Sequence, residues 1–115
     1  VLPFIFDVRA AVRNLYNAVA PGGVVLATLP GISQVSRFDM ERWGDYWRFT
    51  DFSTRKLFEE FFPEDEIEVE TFGNAKAATA FLQGVTVEEM RKGDLDYFDP
   101  DYQVIITAKA GKVDS

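Results

Sequence analysis

The first regular pattern in the chain is a helical repeat of apolar residues. It places apolar side chains at i, i+3, i+4 and i+7 spacing, at Val8, Ala11, Val12, Leu15, Tyr16 and Val19. Asp7 precedes the repeat as a predicted N-cap. Pro21-Gly22-Gly23 ends it, because proline cannot continue a helix and glycine adopts the left-handed turn that closes one. The pattern predicts a helix with one buried face.

Two strand patterns differ in their polarity. Val24–Leu29 is apolar without alternation, which is typical of a strand covered on both faces, as in a parallel sheet packed by helices. By contrast, Ile67, Val69 and Thr71 alternate with glutamates, which predicts a strand with one solvated face or at a sheet edge. Gln103–Lys109 is predicted as the last strand.

Helices are predicted between these strands. Ser53 is the predicted N-cap of a helix that reaches about Phe62, and Pro63 closes it. Asn74 is expected to be a turn residue or helix cap. The other predicted elements are helices over residues 75–82 and 87–92 and a turn over residues 97–101. This order predicts one α/β domain spanning residues 1–115, with a mostly covered sheet.

A connection of unusual length, residues 30–52, links the first strand to the second helix. A connection this long in a small domain is usually functional, disordered or built around its own short helix. Its six aromatic side chains are too many for a disordered segment, at Phe38, Trp43, Tyr46, Trp47, Phe49 and Phe52. We therefore expect it to fold back onto the domain.

Composition and charge narrow the classes of function. The net charge is −7, with 19 acidic and 12 basic residues, so the surface repels phosphate backbones and we expect no nucleic-acid partner. Without Cys or His, the chain lacks thiolate chemistry and the commonest general base and metal ligand, and we expect no metal site. No apolar run approaches the ~20 residues of a membrane span, and no secretory pattern is visible. We expect a cytoplasmic protein without a membrane partner.

Several motifs together resemble a known family. They are the helix that leads through Pro21-Gly22-Gly23 into Val24–Thr28 and Pro30-Gly31, the stretch Trp43–Thr50, and the shorter matches Gly73-Asn74, Ala80–Leu82 and Asp99–Tyr102. In this order they resemble the carboxyl-terminal half of a class I S-adenosylmethionine-dependent methyltransferase. The resemblance covers nearly the whole chain.

The resemblance implies a partial Rossmann-like sheet. The family has seven strands, with the last one antiparallel and inserted between the fifth and sixth, and this chain would supply those three. The family's glycine-rich cofactor turn has no counterpart here, since Gly22-Gly23 precedes a strand instead of following one. Residues 1–6 would lie beside the cofactor, which makes Phe4 and Ile5 its candidate contacts.

The implied function is methyl transfer from S-adenosylmethionine to a small molecule, with the chain supplying the substrate side and being inactive alone. The alternative is a non-catalytic, degenerate methyltransferase module that dimerises or binds a partner through the exposed edge of Val24–Leu29. A third reading is a small ligand-binding protein that uses the aromatic connection.

Candidate substrate residues fall in two groups. Pro30, Gly31 and Ser33 follow the carboxyl end of the first strand, where they border a ligand crevice or form a tight exit turn. The second group forms either a lid over the substrate or a satellite core, and contains Trp43, Asp45, Tyr46, Trp47 and Arg48. Within it, Arg48 either binds a carboxylate or phosphate bidentately or pairs with a nearby acid.

Acidic side chains offer further candidates, each with a structural alternative. If the methyl acceptor is a hydroxyl, the candidate proton acceptors are Asp39, Glu41, Asp45 and Tyr46. The structural alternative for each is a surface or capping group. A solvated acidic turn, without the glycine and glutamate of a calcium loop, is predicted at Asp94, Asp96, Asp99 and Asp101.

Overall fold

In the part of the chain that the computed structural model describes, residues 2–75, 77–78, 82 and 99–113, three strands form one sheet. The strands are β1 (Val24–Pro30), β2 (Ile67–Phe72) and β3 (Ile105–Gly111), and the helices are α1 (Val8–Ala18), α2 (Arg37–Arg42) and α3 (Asp51–Glu59). Short 3-10 turns lie at Leu2–Phe4 and Glu64–Glu66. The chain is thus a small α/β domain, as its pattern predicts. No helix among these residues has the length and apolarity needed to cross a membrane.

The order of the strands is β1-β3-β2, and both pairs are antiparallel. Val24 of β1 lies opposite Gly111 of β3, and Ile67 of β2 lies opposite Ala110. Consequently β1 and β2 run parallel to each other, with the last strand of the chain between them. This is the order that the resemblance implies for its last three strands.

The core lies between one face of the sheet and the helices α1 and α3. Asp7 caps α1 as predicted, because its carboxylate accepts a hydrogen bond from the Ala10 backbone N–H at 3.1 Å. The predicted inner face of α1 contributes the fully buried Val12. The other core residues are Leu2, Val25, Leu29, Phe49, Leu57, Phe58, Phe62, Ile67, Ile106, Ala108 and Ala110.

The prediction that β1 is covered on both faces is wrong for this structure. Val25 and Leu29 are buried, but Val24 and Leu26 are 51% and 75% exposed. The reason is that α1 and α3 pack into the same core on one face of the sheet, and no described element covers the other face. The apolar-rich sequence of β1 therefore leaves apolar side chains in solvent.

The outer edge of β1 is also open in the described residues. Lys112 N–H donates to the Gly23 carbonyl, and Gly31 N–H donates to the Val104 carbonyl. Because hydrogen-bonded pairs alternate along an antiparallel ladder, the backbone groups of Val24, Leu26 and Thr28 point away from β3. At the opposite edge, β2 exposes Glu68 and Glu70, which confirms its predicted solvated face.

Three predicted boundaries need correction. The N-cap of α3 is Thr50, not Ser53, and Ser53 sits at the third position of the helix, where the two residues cap each other's backbone N–H groups. The helix ends at Glu59 and not near Phe62. The last strand starts at Ile105 instead of Gln103, because the Gln103 side chain holds a turn together through Asp51 N–H and the Pro100 carbonyl.

Two capping and turn predictions are confirmed, and others fall outside the described residues. Asn74 caps the start of a helical segment by accepting a hydrogen bond from Ala77 N–H at 2.8 Å. Asp99 accepts one from Asp101 N–H at 3.0 Å and forms a turn. The helix predicted over 87–92, most of the one over 75–82, the first part of the turn over 97–101, and the acidic pair Asp94 and Asp96 lie outside the described part of the chain.

The long connection folds back onto the domain, as predicted, and contains the short helix α2. Tyr46 and Trp47 donate backbone hydrogen bonds to the Pro3 carbonyl at 2.7 and 3.2 Å. Phe49 donates to the Pro30 carbonyl at 2.9 Å, which fixes the end of the connection against the end of β1.

Candidate functional site

A cavity of about 310 Å³ lies beyond the carboxyl end of β1. It brings together five of the residues that the sequence singles out, at Phe4, Pro30, Ser33, Asp45 and Arg48. They come from the amino-terminal 3-10 turn, the exit of β1 and the far end of the connection. The folding-back of the connection therefore creates the cavity.

Arg48 and Asp45 form a bidentate ion pair on the wall of this cavity. The two Nη–Oδ distances are 2.7 and 2.9 Å, and the Asp45 side chain is only 1% exposed. Ser36 N–H donates a further hydrogen bond to Asp45 Oδ2 at 3.1 Å. The pair thus ties the end of the connection to the start of α2.

The remaining N–H groups of Arg48 are also used within the protein. Nε donates to the Ser33 carbonyl at 3.4 Å, Nη1 to the Trp47 carbonyl at 2.8 Å, and Nη2 to the Gln34 carbonyl at 2.7 Å. Since a guanidinium group has five N–H donors, every donor of Arg48 has a protein acceptor. The alternative that Arg48 pairs with a nearby acid is confirmed.

This geometry shifts the pKa of both side chains toward their charged forms. The hydrogen bonds from Arg48 hold the pKa of Asp45 below its usual range, more strongly than desolvation opposes it. The same pairing raises the pKa of Arg48. Because a carboxylate with a lowered pKa is a weak base, Asp45 is poorly suited to accept a proton from a substrate.

The other candidate proton acceptors lie outside the cavity wall. Asp39 accepts hydrogen bonds from the Ser36 hydroxyl at 2.7 Å and from Trp43 Nε1 at 3.2 Å, so it holds α2 and Trp43 in place. Glu41 lies on the exposed side of α2. The N-cap of α2 is Ser36, and Asp39 has a structural role in which its carboxylate holds the hydroxyl of that cap.

The aromatic candidates form a separate surface. Trp43, Tyr46 and Trp47 do not line the cavity, and they are 57%, 51% and 36% exposed. Trp47 Nε1 donates to the Ile5 and Phe6 carbonyls, and Phe6 contacts the rings of Trp47 and Tyr46 at centroid distances of 5.7 and 5.3 Å. The rings of Tyr46 and Trp47 therefore hold the connection against the amino-terminal segment.

A second cavity, of about 300 Å³, also has Arg48 in its wall. Its wall includes Gly31, Phe49, Asp101 and Gln103. A side chain at Gly31 would collide with the Gln103 carbonyl oxygen, so the candidate Gly31 has a structural reason to be glycine. The sequence gives no local sign of the contribution of Gln103, because it depends on the packing of the distant start of β3.

A third, apolar cavity of about 500 Å³ runs between α1 and the open edge of β1. Leu2, Ile5, Ala11 and Leu15 line one side of it, and residues 25–28 line the other. Ile5 and Phe4, the two candidate cofactor contacts, therefore lie in different cavities. Although they are neighbours in the chain, the structure does not place them in the wall of one cavity.

Comparison with known protein families, curated proteins and solved structures finds no match.

Proposed function

We propose that the chain is the substrate-side half of an S-adenosylmethionine-dependent methyltransferase that acts on a small molecule. The observation that carries the proposal is the strand order β1-β3-β2 together with the cavity of about 310 Å³ at the carboxyl end of β1. Open α/β sheets bind their ligands beyond the carboxyl ends of parallel strands. The strand order is the one that the resemblance implies, and the position of the cavity is the one that this general strand geometry predicts.

The described residues do not form a site for the cofactor. No glycine-rich turn follows a strand, and Phe4 and Ile5 line different cavities. The bound cofactor would supply an electrophilic methyl group. We assign its binding to residues beyond those of this chain, so the chain alone is expected to be inactive.

The contribution of this chain is to hold the acceptor in place. Pro30 and Ser33 line the cavity at the end of β1, and Arg48 and Asp45 form part of its wall. Methyl transfer gains much of its acceleration from positioning an in-line attack, so a site without a strong base is compatible with this reaction.

A calorimetric titration with S-adenosylmethionine and its demethylated product tests whether the cofactor binds to residues beyond those of this chain. The chain alone is expected to give no heat. The chain joined to the polypeptide encoded directly upstream is expected to bind the cofactor and methylate members of a small-molecule panel. Micromolar cofactor binding by the chain alone would overturn the assigned division, and an inactive joined protein would overturn the reaction.

A pair of variants of the joined protein sharpens this test. Ser33→Trp fills the cavity and is expected to abolish methyl transfer while cofactor binding persists. Lys56→Trp, on the exposed side of α3, is the matched control and is expected to leave both unchanged. Equal methyl transfer by the two variants would place the acceptor elsewhere.

A second candidate function, a non-catalytic dimerisation module, is favoured by the open edge of β1. Its outward backbone groups belong to Val24, Leu26 and Thr28, so a second copy can pair antiparallel with Leu26 opposite itself and Val24 opposite Thr28. This edge carries no charged side chain that would oppose pairing.

Sedimentation at high protein concentration separates this second candidate from the first. A dimer that Leu26→Lys converts to a monomer, and that Glu70→Lys on the opposite edge leaves intact, would support the module. A monomer at all concentrations would contradict it.

A further inference from the structure

Arg48 lines both the cavity of about 310 Å³ and the cavity of about 300 Å³ at the end of β1. Its five N–H donors, which lie along the edge of the guanidinium plane, are all bonded to Asp45 and to the carbonyls of Ser33, Gln34 and Trp47. The side chain nevertheless remains 28% exposed. What the group still offers a ligand is the flat face of the guanidinium plane, and such a face stacks on aromatic rings.

The walls around Arg48 suit a flat, apolar ligand. Pro3, Phe4 and Pro30 line one cavity, and Phe49 and Pro100 line the other, so apolar surface is available in both beside their polar residues. Each cavity is at the lower end of the volume range of small-molecule sites, which is roughly 300–1,000 Å³. A single ring fits this volume better than an extended ligand does.

The charges of the site disfavour an anion. Among the described residues that line either cavity, Arg48 is the only cationic side chain, and Asp45 neutralises it. Asp101 adds a negative charge to the second cavity. A carboxylate or phosphate would therefore have to displace an existing hydrogen bond of Arg48.

We propose that this site binds an uncharged aromatic ring stacked on the face of Arg48, and that it does not bind an anion. The assignment of this ring as the methyl acceptor, a phenol or an aromatic amine, rests on the proposed function. The binding itself does not, so the two can fail separately.

Phenol and cyclohexanol are matched probes, because both carry one hydroxyl on a six-membered ring and only phenol is flat and aromatic. Each is titrated into the ¹⁵N-labelled chain while Arg48 Nε–H and the backbone N–H groups of Ser33 and Gln34 are followed by NMR. Phenol is expected to shift these signals and to bind about two- to fivefold more tightly than cyclohexanol, the size of a cation–π contact at a partly exposed site. Equal affinities, or no shift with phenol, would overturn the proposal.

Inorganic phosphate is titrated in the same way as an anionic probe. It is expected to leave Arg48 Nε–H unshifted at concentrations where phenol shifts it. A phosphate shift at Arg48 that exceeds the phenol shift would overturn the proposal in favour of an anion site.

Arg48→Lys keeps the charge and removes the plane, so the preference for phenol over cyclohexanol is expected to disappear. Arg55→Lys is the matched control, since Arg55 pairs with Glu59 on α3 and lines neither cavity. Loss of the preference in both variants, or in neither, would contradict stacking on Arg48. If Arg48→Lys fails to fold, the phenol and cyclohexanol comparison on the unmodified chain still decides the proposal.

Discussion

The connection and the helix that follows it are both rich in aromatic residues but use them in opposite ways. In α3 and the turn after it, Phe58 and Phe62 are buried at 0% and 3% exposure and form the centre of the core. In the part of the connection before α3, Phe49 is buried, whereas the other four aromatic side chains are 36–60% exposed. Aromatic content therefore does not by itself say which segment holds the fold.

The connection is held mainly by polar contacts. Asp45, Arg48 and the Trp47 indole N–H all bond to other residues of the connection or to the amino-terminal segment. The packing of α3 depends on apolar burial that removes large surfaces from water. We infer that α3 sets global stability, while the connection sets the shape of the cavities.

Replacement of Phe58 by alanine tests the first half of this comparison and has the largest expected effect. Deleting a fully buried ring leaves a cavity, and we expect a loss of about 3–5 kcal/mol in the free energy of unfolding. Phe52 lies on the same helix at 81% exposure, and Phe52→Ala is expected to change stability by less than about 0.5 kcal/mol. Denaturant unfolding of both variants checks this, and similar losses would contradict the contrast.

Gly31→Ala tests whether the start of the connection depends on backbone contact. The added methyl group meets the Gln103 carbonyl, a rigid backbone atom, so the ends of β1 and β3 must separate. We expect a loss of about 3 kcal/mol in unfolding free energy. Ser33→Ala, two residues further along, adds no atoms and is the control. An unchanged melting curve for Gly31→Ala would show that the two chain segments separate easily.

The sequence predicts the elements of the core better than the site. The 3.6-residue repeat of α1 and the alternation of β2 arise from burial on one face, and burial leaves a periodic trace in the residues themselves. The Thr50 cap was missed because Ser53, three residues on, has the same capping chemistry and completes a shared capping box.

The candidate site depends on long-range contacts that leave no such trace. The Pro3 carbonyl accepts hydrogen bonds from residues more than forty positions away, and Gln103 meets Gly31 only after β3 has paired with β1. The proximity of Arg48 to Asp45 in sequence made their pairing predictable, but the saturation of every Arg48 donor requires the folded carbonyls of Ser33 and Gln34.

Asp45→Asn tests how much the ion pair of Asp45 with Arg48 stabilises the connection. The amide removes the charge and one of the two acceptors that Arg48 uses, so we expect a loss of about 2 kcal/mol at pH 7. The exposed pair Arg9–Glu60 is the control, and Glu60→Gln is expected to change stability by less than about 1 kcal/mol. Equal losses in chemical denaturation would mean that the buried pair is no more important than a surface pair.

The pH dependence of the same variant gives an independent check. Asp45 has a pKa below the ordinary value of 3.8 in the folded chain, so folding favours its ionised form. The stabilisation is complete above that ordinary value and is lost as the pH falls through the lower folded-state pKa. The stability difference between the unmodified chain and Asp45→Asn is therefore expected to be constant from neutral pH down to mildly acidic pH and to shrink below 3.8. A difference that shrinks near neutral pH would point to another group.

Thr54 is a buried polar residue in the otherwise apolar packing of α3, and its replacement has the smallest expected effect on stability. Its side chain is fully buried in the core-facing side of the helix, and among the described residues its hydroxyl has no hydrogen-bond partner. Thr54→Val keeps the shape and removes an unsatisfied polar group, so we expect a gain of about 1 kcal/mol in unfolding free energy. Ser53→Ala on the same helix removes a hydroxyl that is bonded, and it is expected to lose stability. A loss in both variants would mean that the Thr54 hydroxyl is satisfied in solution, and the stabilising role of α3 would then include a polar contact after all.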